Sequence, residues 1–383
     1  MSKTLVGVLI DVRVLFSAFD ERMTRLFLDS YQLAFDEAYE DGVLDRPVEM
    51  IVQEVDGLPT GSVHEALEGW KALAAQGVVG ILGPMATENA IDIREYIDRE
   101  GHIPSISWAG SDLSYGEWVF GVTNGSLPDE PYLMANYLAH EGHERIAVLY
   151  EDSSIGLEYV SFFRDACKYE GLRIVIEEPI SQIQGPDMAA PIRALRGTEP
   201  DAVAYLGLGL PTVYLNDELE HIGWDPPRIM GTGFMVAAFT KQGQSKLKGW
   251  AGIEQYDEEN PIGQSMLDRF EARHGYRPAN FLPLVCYDAA NVLAHGIGKA
   301  YPISPAGVKR GLERVKMLPA ATGGRGTYLS FAPHVRRGWL GADYLVVRKA
   351  DTDKFGTPLG DLGSRLVHRW IPRTREQRKA ART

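Results

Sequence analysis

Short apolar runs alternate with stretches of helical spacing from residue 5 to about residue 230, almost without a break. The strand-like runs occupy residues 5–10, 48–52, 78–82, 103–107, 146–150, 174–176, 202–206 and 228–230. The helix-like stretches between them occupy residues 23–39, 63–76, 90–99, 133–141, 157–170, 188–196 and 212–221. This order requires parallel sheets that are covered by helices on both faces. The sequence therefore predicts an α/β fold with doubly wound sheets, in which ligands bind at the carboxyl ends of the strands.

The length of the chain, 383 residues, favours two domains over a single core. After residue 249 the alternation gives way to a long helical region, 261–274 and 282–301. Two closing strands are then predicted at 326–331 and 342–347, with a turn at Arg336-Arg337-Gly338. The last stretch, 366–383, is basic and is typical of a solvated C-terminal tail; a contact with a membrane or an acidic partner is the alternative.

Charge and hydropathy disfavour nucleic-acid-binding proteins and membrane-spanning proteins. A net charge of −13 disfavours nucleic acid as a partner, because phosphate binding needs a basic surface. No apolar run approaches the roughly 18 residues of a membrane span. We expect the protein to be cytoplasmic if Met1 is the native start, and extracytoplasmic (periplasmic or at the cell surface) if an export segment was removed.

The most specific local feature is the segment 77–90, in which an apolar strand ends at Gly83-Pro84 and a helical pattern begins near Thr87. A helix that starts directly after a buried strand presents unpaired backbone N–H groups, which suit a carboxylate or a polarised carbonyl. Residues 103–112 repeat this arrangement, from a strand into the loop Trp108-Ala-Gly-Ser111. Two such loops on neighbouring strands are predicted to converge on one small ligand.

These loops indicate binding rather than catalysis. The chain has no Gly-x-Ser-x-Gly elbow, phosphate-binding loop or His-Glu-x-x-His motif. The pairs Asp11/Asp20 and Glu151/Asp152 are the alternative, as carboxylates for acid–base chemistry. We expect no enzyme activity, no cofactor and no metal site.

Five segments in this order, 78–90, 103–111, 146–156, 278–290 and 326–348, resemble type I periplasmic binding proteins. The resemblance covers residues 5 to about 350 and is strongest for the leucine/isoleucine/valine-binding branch, which also contains cytoplasmic amide sensors. It implies two doubly wound parallel-sheet lobes, joined by three hinge crossovers, that close over a ligand. One lobe would comprise residues 1–121 plus 252–327, and the other 122–251 plus 328–365, followed by the basic C-terminal tail, 366–383.

The resemblance also implies which residues contact the ligand. The loops that match the carboxylate-binding loops of the family are Ala86-Thr87 and Ala109-Gly110-Ser111, with Trp108 beside the second. Other matching positions are, in chain order, Phe16, Phe19, Ser154, Ile155, Leu208, Gly209, Gly233 and Phe234.

One position departs from the pattern of the amino-acid-binding members. They carry an acidic residue after the strand that matches 228–230, where it pairs with the ligand ammonium, whereas this chain has Gly233. A buried ammonium without its counter-charge costs several kcal/mol. The expected ligand is therefore an apolar or aromatic carboxylate, or an amide, that stacks on aromatic side chains.

The resemblance implies a solute-binding receptor, as the binding component of an ABC-type uptake system with permease subunits as partners. The alternative from the same family is a cytoplasmic ligand sensor that controls a regulatory protein.

Overall fold

The computed structural model describes residues 3–13, 22–183, 185, 187–237, 246–278, 280–350 and 364–372. The strands, in chain order, are β1 (Thr4–Ile10), β2 (Val48–Glu54), β3 (Ile81–Leu82), β4 (Ser105–Ser107), β5 (Val119–Gly121), β6 (Arg145–Glu151), β7 (Arg173–Ile180), β8 (Ala202–Leu206), β9 (Arg228–Met230), β10 (Trp250–Glu254), β11 (Leu318–Pro319), β12 (Tyr328–Leu329), β13 (Val346–Ala350) and β14 (Ser364–Arg369). The helices are α1 (Met23–Glu40), α2 (Val63–Ala74), α3 (Thr87–Tyr96), α4 (Glu130–His140), α5 (Ser154–Glu170), α6 (Ala189–Gly197), α7 (Thr212–His221), α8 (Gly233–Ala237), α9 (Pro261–His274), α10 (Leu282–Gly298) and α11 (Pro305–Leu312).

The chain divides into two compact units. Unit 1 contains residues 1–126 and 258–340, and unit 2 contains residues 127–257 and 341–383. The chain therefore passes three times from one unit to the other. The predicted boundaries at 121, 251 and 327 precede the observed ones.

Unit 1 is built on a five-stranded sheet of order β2-β1-β3-β4-β5, in which every neighbouring pair is parallel. Strand β1, which lies between β2 and β3, reads Thr-Leu-Val-Gly-Val-Leu-Ile and is buried over nearly its whole length, as expected for a strand with helices on both faces. Local signals set the ends of the helices. Ser62 caps α2 by accepting a hydrogen bond from the N–H of Glu65, and Asn260 caps α9 from the N–H groups of Ile262 and Gly263.

Unit 2 is built on a seven-stranded sheet of order β14-β13-β10-β9-β8-β6-β7. Strands β7, β6, β8, β9 and β10 are parallel, whereas β13 and β14 are antiparallel to their neighbours. Tyr205, Met230, Phe234 and Trp250 belong to the apolar core on one face of this sheet. Helix α5 starts at its cap Ser153 and ends at Gly171, whose φ of 75° suits a residue without a Cβ.

The C-terminal part of each unit differs from the predicted strands. Only Tyr328–Leu329 of the predicted strand 326–331 pairs as a strand, and Ala342–Tyr344 forms a 3₁₀ turn before β13. Segment 336–338 belongs to unit 1 because Gly121 donates its N–H to the carbonyl of Arg336 over 2.7 Å, and Gly338 donates to that of Gly121 over 2.8 Å. These backbone bonds extend unit 1 beyond the predicted crossover at 327.

Candidate functional site

In unit 1, three chain segments leave the carboxyl ends of adjacent strands. Asp11 follows β1, residues 83–87 follow β3, and residues 108–111 follow β4. The N–H of Trp108 donates to the carbonyl of Pro84 over 3.4 Å, so the two predicted loops lie side by side. Thr87 is the first residue of α3, as the sequence pattern predicted.

The Asp11 carboxylate occupies part of the donor set at the start of α3. It is fully buried, and it accepts hydrogen bonds from the N–H of Met85 (2.7 Å), the N–H of Ala86 (3.3 Å) and Nδ2 of Asn89 (2.7 Å). Burial raises the pKa of Asp11, and these donors oppose that shift. The Asp11 carboxylate thus binds two N–H groups, those of Met85 and Ala86, that sequence analysis predicted to be available to a ligand.

Hydroxyl groups engage the N–H groups of the second loop. Oγ of Ser107 donates to the carbonyl of Pro84 (2.8 Å) and accepts from the N–H of Ala109 (3.1 Å). Oγ1 of Thr87 accepts from the N–H of Gly110 over 3.2 Å. The Thr87 hydroxyl keeps its own hydrogen for a further bond, so it can donate to a ligand oxygen.

The remaining residues of this loop are buried. Oγ of Ser111 accepts from the N–H of Leu113 over 3.1 Å, which caps a 3₁₀ turn. Trp108 is 3% exposed and lies edge-on to Phe27, with ring centroids 5.2 Å apart. Its Nε1 lies near the Tyr31 hydroxyl, and within the described residues neither group makes a hydrogen bond of normal geometry.

In unit 2, the predicted residues also follow strand ends. Ser154 and Ile155 begin α5 just after β6; Ser154 is exposed and Ile155 is buried. The last residue of β6, Glu151, is buried and accepts hydrogen bonds from the Tyr205 hydroxyl and from the N–H of Gly209, the latter over 2.9 Å. This carboxylate holds the loop that contains Leu208 and Gly209.

Gly233 lies where two backbone segments approach each other. A Cβ placed on Gly233 would be 2.8 Å from the carbonyl oxygen of Gly207 and 3.1 Å from that of Leu208. At Gly209, which has a φ of +102°, a Cβ would be 2.5 Å from the carbonyl oxygen of Gly233. A side chain at position 233 would therefore force the backbone at Gly207 and Leu208 to shift.

Phe234 packs in the core of unit 2. It is 2% exposed, and it lies so close to Gly252 that a Cβ there would be 2.1 Å from the Phe234 ring. Its side chain therefore contributes to the apolar core around Trp250.

Sequence analysis missed Glu130, which stands in the first turn of α4. The carboxylate is buried and accepts from the N–H of Thr232 (2.7 Å), the Thr232 hydroxyl (2.5 Å) and the Tyr159 hydroxyl (2.6 Å). Burial, with Glu130 and Glu151 nearby, raises the pKa of Tyr159 well above its ordinary value. An acid in the first turn of a helix usually compensates the helix dipole at the surface, so its position gave no signal of this role.

Two predicted residues, Phe16 and Phe19, lie outside the described residues, as does the alternative catalytic residue Asp20. Within the described part of the chain, no helix is long and apolar enough to cross a membrane. The same residues contain no group of three or more His, Cys, Asp or Glu side chains arranged to hold a metal ion.

Comparison with known proteins identifies the family of this fold. A family model described as periplasmic binding protein matches residues 6–338. No curated protein matches the sequence.

Solved structures match nearly the whole chain at low identity. A type 1 periplasmic binding protein from Bordetella pertussis has a TM-score of 0.77 and 18% identity, covering 96% of this chain and 100% of its own. An ABC transporter substrate-binding protein from Desulfitobacterium hafniense, in complex with leucine, has a TM-score of 0.75 and 20% identity, with coverage of 96% and 100%. A branched-chain amino acid transporter substrate-binding protein from Streptococcus pneumoniae, in complex with isoleucine, has a TM-score of 0.75 and 18% identity, with coverage of 96% and 99%. These matches confirm the predicted fold class.

Proposed function

The chain belongs to the periplasmic binding protein family, and on that premise we propose that it is a non-catalytic receptor for a small apolar or aromatic carboxylate, or an amide. In this proposal it is the binding component of an ABC-type uptake system and works outside the cytoplasm. Binding shifts the protein toward a closed, more compact form. The observation that carries the proposal is the pair of loops at the ends of β3 and β4, which bring the Thr87 hydroxyl beside the N–H groups of residues 109–110.

The Thr87 hydroxyl is the donor we assign to the ligand oxygen. It accepts one hydrogen bond from Gly110, which fixes its orientation, and it retains one hydrogen to donate. Thr87 is 8% exposed, and a hydrogen bond made in so dry an environment is stronger than one made in water.

The glycine at position 233 is evidence for a ligand that has no ammonium group. The chain has glycine at this position, where a Cβ would be 2.8 Å from the carbonyl oxygen of Gly207, so the acid of the amino-acid-binding members has no counterpart there. In unit 1, the Asp11 carboxylate already accepts hydrogen bonds from Met85 and Asn89 at the start of α3, so we do not assign it to a ligand ammonium.

The expected affinity follows from the proposed class of ligand. Burying an aromatic body of roughly 150–200 Å² contributes about 3–5 kcal/mol before ordering costs. Donor bonds to a carboxylate add about 1.5–3 kcal/mol each. A micromolar dissociation constant, about −8 kcal/mol, is therefore within reach without an ammonium contact.

Calorimetry on a matched panel tests the ligand class. The panel compares leucine, valine and phenylalanine with 4-methylpentanoate, 3-methylbutanoate and 3-phenylpropanoate, and adds larger alicyclic acids and short amides. We expect binding in the second group or among the amides, with the compound recovered unchanged. If leucine binds tightly and 4-methylpentanoate does not, the argument from Gly233 is wrong, and Glu151 or another acid pairs with the ammonium.

Variants at Thr87 test the assigned donor. Thr87→Val keeps the shape of the side chain and removes its hydroxyl, so we expect the best ligand of the panel to bind at least tenfold more weakly. Thr87→Ser retains the hydroxyl and should stay within about threefold of the original affinity. Equal affinities for all three proteins would exclude Thr87 as a ligand donor.

Two further measurements test closure and the uptake role. Small-angle scattering with and without the ligand should show a smaller radius of gyration in the complex. Co-purification with permease subunits from membranes supports uptake, whereas ligand-dependent capture of a soluble regulator supports the sensor alternative.

A further inference from the structure

Unit 2 has a cavity at the amino ends of β9 and β10, whereas its predicted ligand-binding residues follow the carboxyl ends of the strands. The cavity has a volume of about 320 Å³ and is formed by the C-terminal turn of α4, the first residues of β9 and β10, and the end of β13. This volume falls within the range of roughly 300–1,000 Å³ that is usual for small-molecule sites.

The charged side chains that line this cavity are balanced in number, but they are not all paired. The lining contains two cations, Arg228 and Lys349, and two carboxylates, Asp225 and Glu141, besides the imidazole of His143. Nη1 of Arg228 lies 2.6 Å from Oδ1 of Asp225. Lys349 and Glu141 make no ion pair with each other or with any other described residue. The cavity therefore offers one positive and one negative group to a ligand that carries both charges.

Lys349 lies opposite a second cation. In the antiparallel pair of β13 and β14, Lys349 is the register partner of Arg365, and both residues are exposed. Like charges directly opposite each other on a sheet are destabilising. Arg365 also makes no ion pair within the described part of the chain. A carboxylate bound at Lys349 would relieve this repulsion.

Arg228 adds a buried donor to the lining. It is 8% exposed, and it donates to the carbonyl oxygen of Pro226 over 3.0 Å and to that of Lys248 over 2.5 Å, so its guanidinium is held in place. Its Nε makes no hydrogen bond to a described residue. Buried donors in native proteins nearly always have an acceptor, so this Nε favours a carboxylate oxygen in the cavity.

The opposite charge stands at the end of a helix. Glu141 is the C-cap of α4, where the helix dipole is negative, so the carboxylate and the helix end together favour a cation. Burial and the neighbouring Glu141 carboxylate raise the pKa of Tyr137, one turn earlier on α4. Leu138, which is 1% exposed, and the buried Pro226 supply an apolar part of the lining.

From these features we propose that the cavity is a second ligand site, which binds a small ω-amino acid, a zwitterion with its two charges at opposite ends of a short apolar chain. Lys349 and Nε of Arg228 bind the carboxylate, and Glu141 binds the ammonium. A ligand with a single charge would leave either Lys349 or Glu141 without a partner. The site shares no residue with the strand-end loops, so it does not depend on the function proposed for them.

4-Aminobutanoate is the probe, and two matched compounds each lack one of its charges. Pentanoate has a methyl group in place of the ammonium, and 4-aminobutanamide has an amide in place of the carboxylate. Both compounds belong to classes proposed for the strand-end loops, so the change in affinity that each variant causes is the quantity compared.

Calorimetric titration of the full chain measures these changes. Lys349→Gln and Glu141→Gln should each weaken 4-aminobutanoate at least tenfold. Glu141→Gln should leave pentanoate within twofold, and Lys349→Gln should leave 4-aminobutanamide within twofold. The control Lys168→Gln removes another exposed lysine of unit 2, paired with Asp165 at 3.4 Å, and should leave 4-aminobutanoate within twofold.

Thr87→Val, which alters the strand-end loops, should also leave 4-aminobutanoate within twofold and so separates the two sites. The proposal is overturned if either Lys349→Gln or Glu141→Gln binds 4-aminobutanoate as tightly as the unaltered chain. It is also overturned if the unaltered chain does not bind 4-aminobutanoate at millimolar concentration, or if Thr87→Val alone abolishes the binding.

Discussion

Asp11 and Met85 are 74 positions apart in the sequence, and the Met85 N–H donates a hydrogen bond of 2.7 Å to Oδ1 of Asp11. A carboxylate at the end of β1 thereby fixes the loop that follows β3, on which Thr87 lies. The position of the proposed donor is thus set by a buried carboxylate that binds Met85, Ala86 and Asn89 rather than Thr87 itself.

We expect Asp11→Asn to lower the free energy of unfolding by about 1–3 kcal/mol, because an amide NH₂ must then face an N–H donor at Met85 or Ala86. Urea unfolding at pH 7 measures the loss. In Asn89→Asp, a second carboxylate would stand where Nδ2 of Asn89 is now 2.7 Å from Asp11. That variant should lose stability at pH 7 and regain much of it near pH 4, as one of the two acids takes up a proton. An Asp11→Asn protein as stable as the unaltered chain would rule out this role.

Asp288 fixes a second loop of unit 1, and its pKa predicts a pH dependence. Its carboxylate accepts from the N–H groups of Ala321 (2.8 Å) and Thr322 (2.9 Å), and burial raises its pKa from 3.8 to about 6. The folded protein therefore keeps this proton to a higher pH than the unfolded chain. The free energy of unfolding should fall by about 2 kcal/mol as the pH rises from 4 to 6.

Amide hydrogen exchange in α10 measures this effect within unit 1. Asp288→Asn should flatten the slope between pH 4 and pH 6, whereas Asp92→Asn, at an exposed position, should preserve it. A slope that survives in Asp288→Asn would assign the effect to another group.

The pKa of His368 in unit 2 predicts the opposite dependence of stability on pH. Burial, with His140 beside it, lowers the pKa of His368 from 6.5 to about 4, and its Nε2 lies 2.9 Å from Oδ1 of Asn136. The unfolded chain binds this proton more readily, so the stability of unit 2 should fall as the pH drops from 6.5 to 4. Protection of the β14 amides should therefore decrease over the range in which protection of α10 increases.

His368→Gln should remove this acid sensitivity, because a neutral amide does not titrate. His221→Gln changes an exposed histidine of the same unit and should retain it. If both variants respond to acid alike, His368 is not the titrating group.

The sequence pattern predicted the two doubly wound sheets because apolar alternation is local and repeats many times. It also placed the start of α3 at Thr87, since Gly83-Pro84 interrupts the apolar run. The C-terminal strands were harder to predict. Segment 336–338 joins unit 1 through backbone bonds to Gly121, and such bonds leave no mark on side-chain composition.

The sequence predicted the strand-end loops, but not which groups of the protein bind the N–H donors in them. The strand-end loops were identified from their small residues, but their N–H groups were treated as available for a ligand. In the structure, Ser107 and Thr87 bind the N–H groups of Ala109 and Gly110. Such contacts join different strands, so a pattern within one segment cannot reveal them. The ligand contacts themselves stay predictions.

Gly233 provides the last test, which separates steric exclusion from missing charge. Because a Cβ at this position would be 2.8 Å from the carbonyl oxygen of Gly207, both Gly233→Ala and Gly233→Asp should lower the free energy of unfolding by about 1–3 kcal/mol. The control is Gly197→Ala at the end of α6, where a Cβ would meet no atom within 4 Å, and where the change should be neutral or slightly stabilising. Urea unfolding followed by far-UV circular dichroism measures all three. If Gly233→Ala is as stable as the unaltered chain and Gly233→Asp gains leucine binding, the position tolerates an acidic side chain. The glycine would then reflect the ligand that the protein binds rather than a packing requirement.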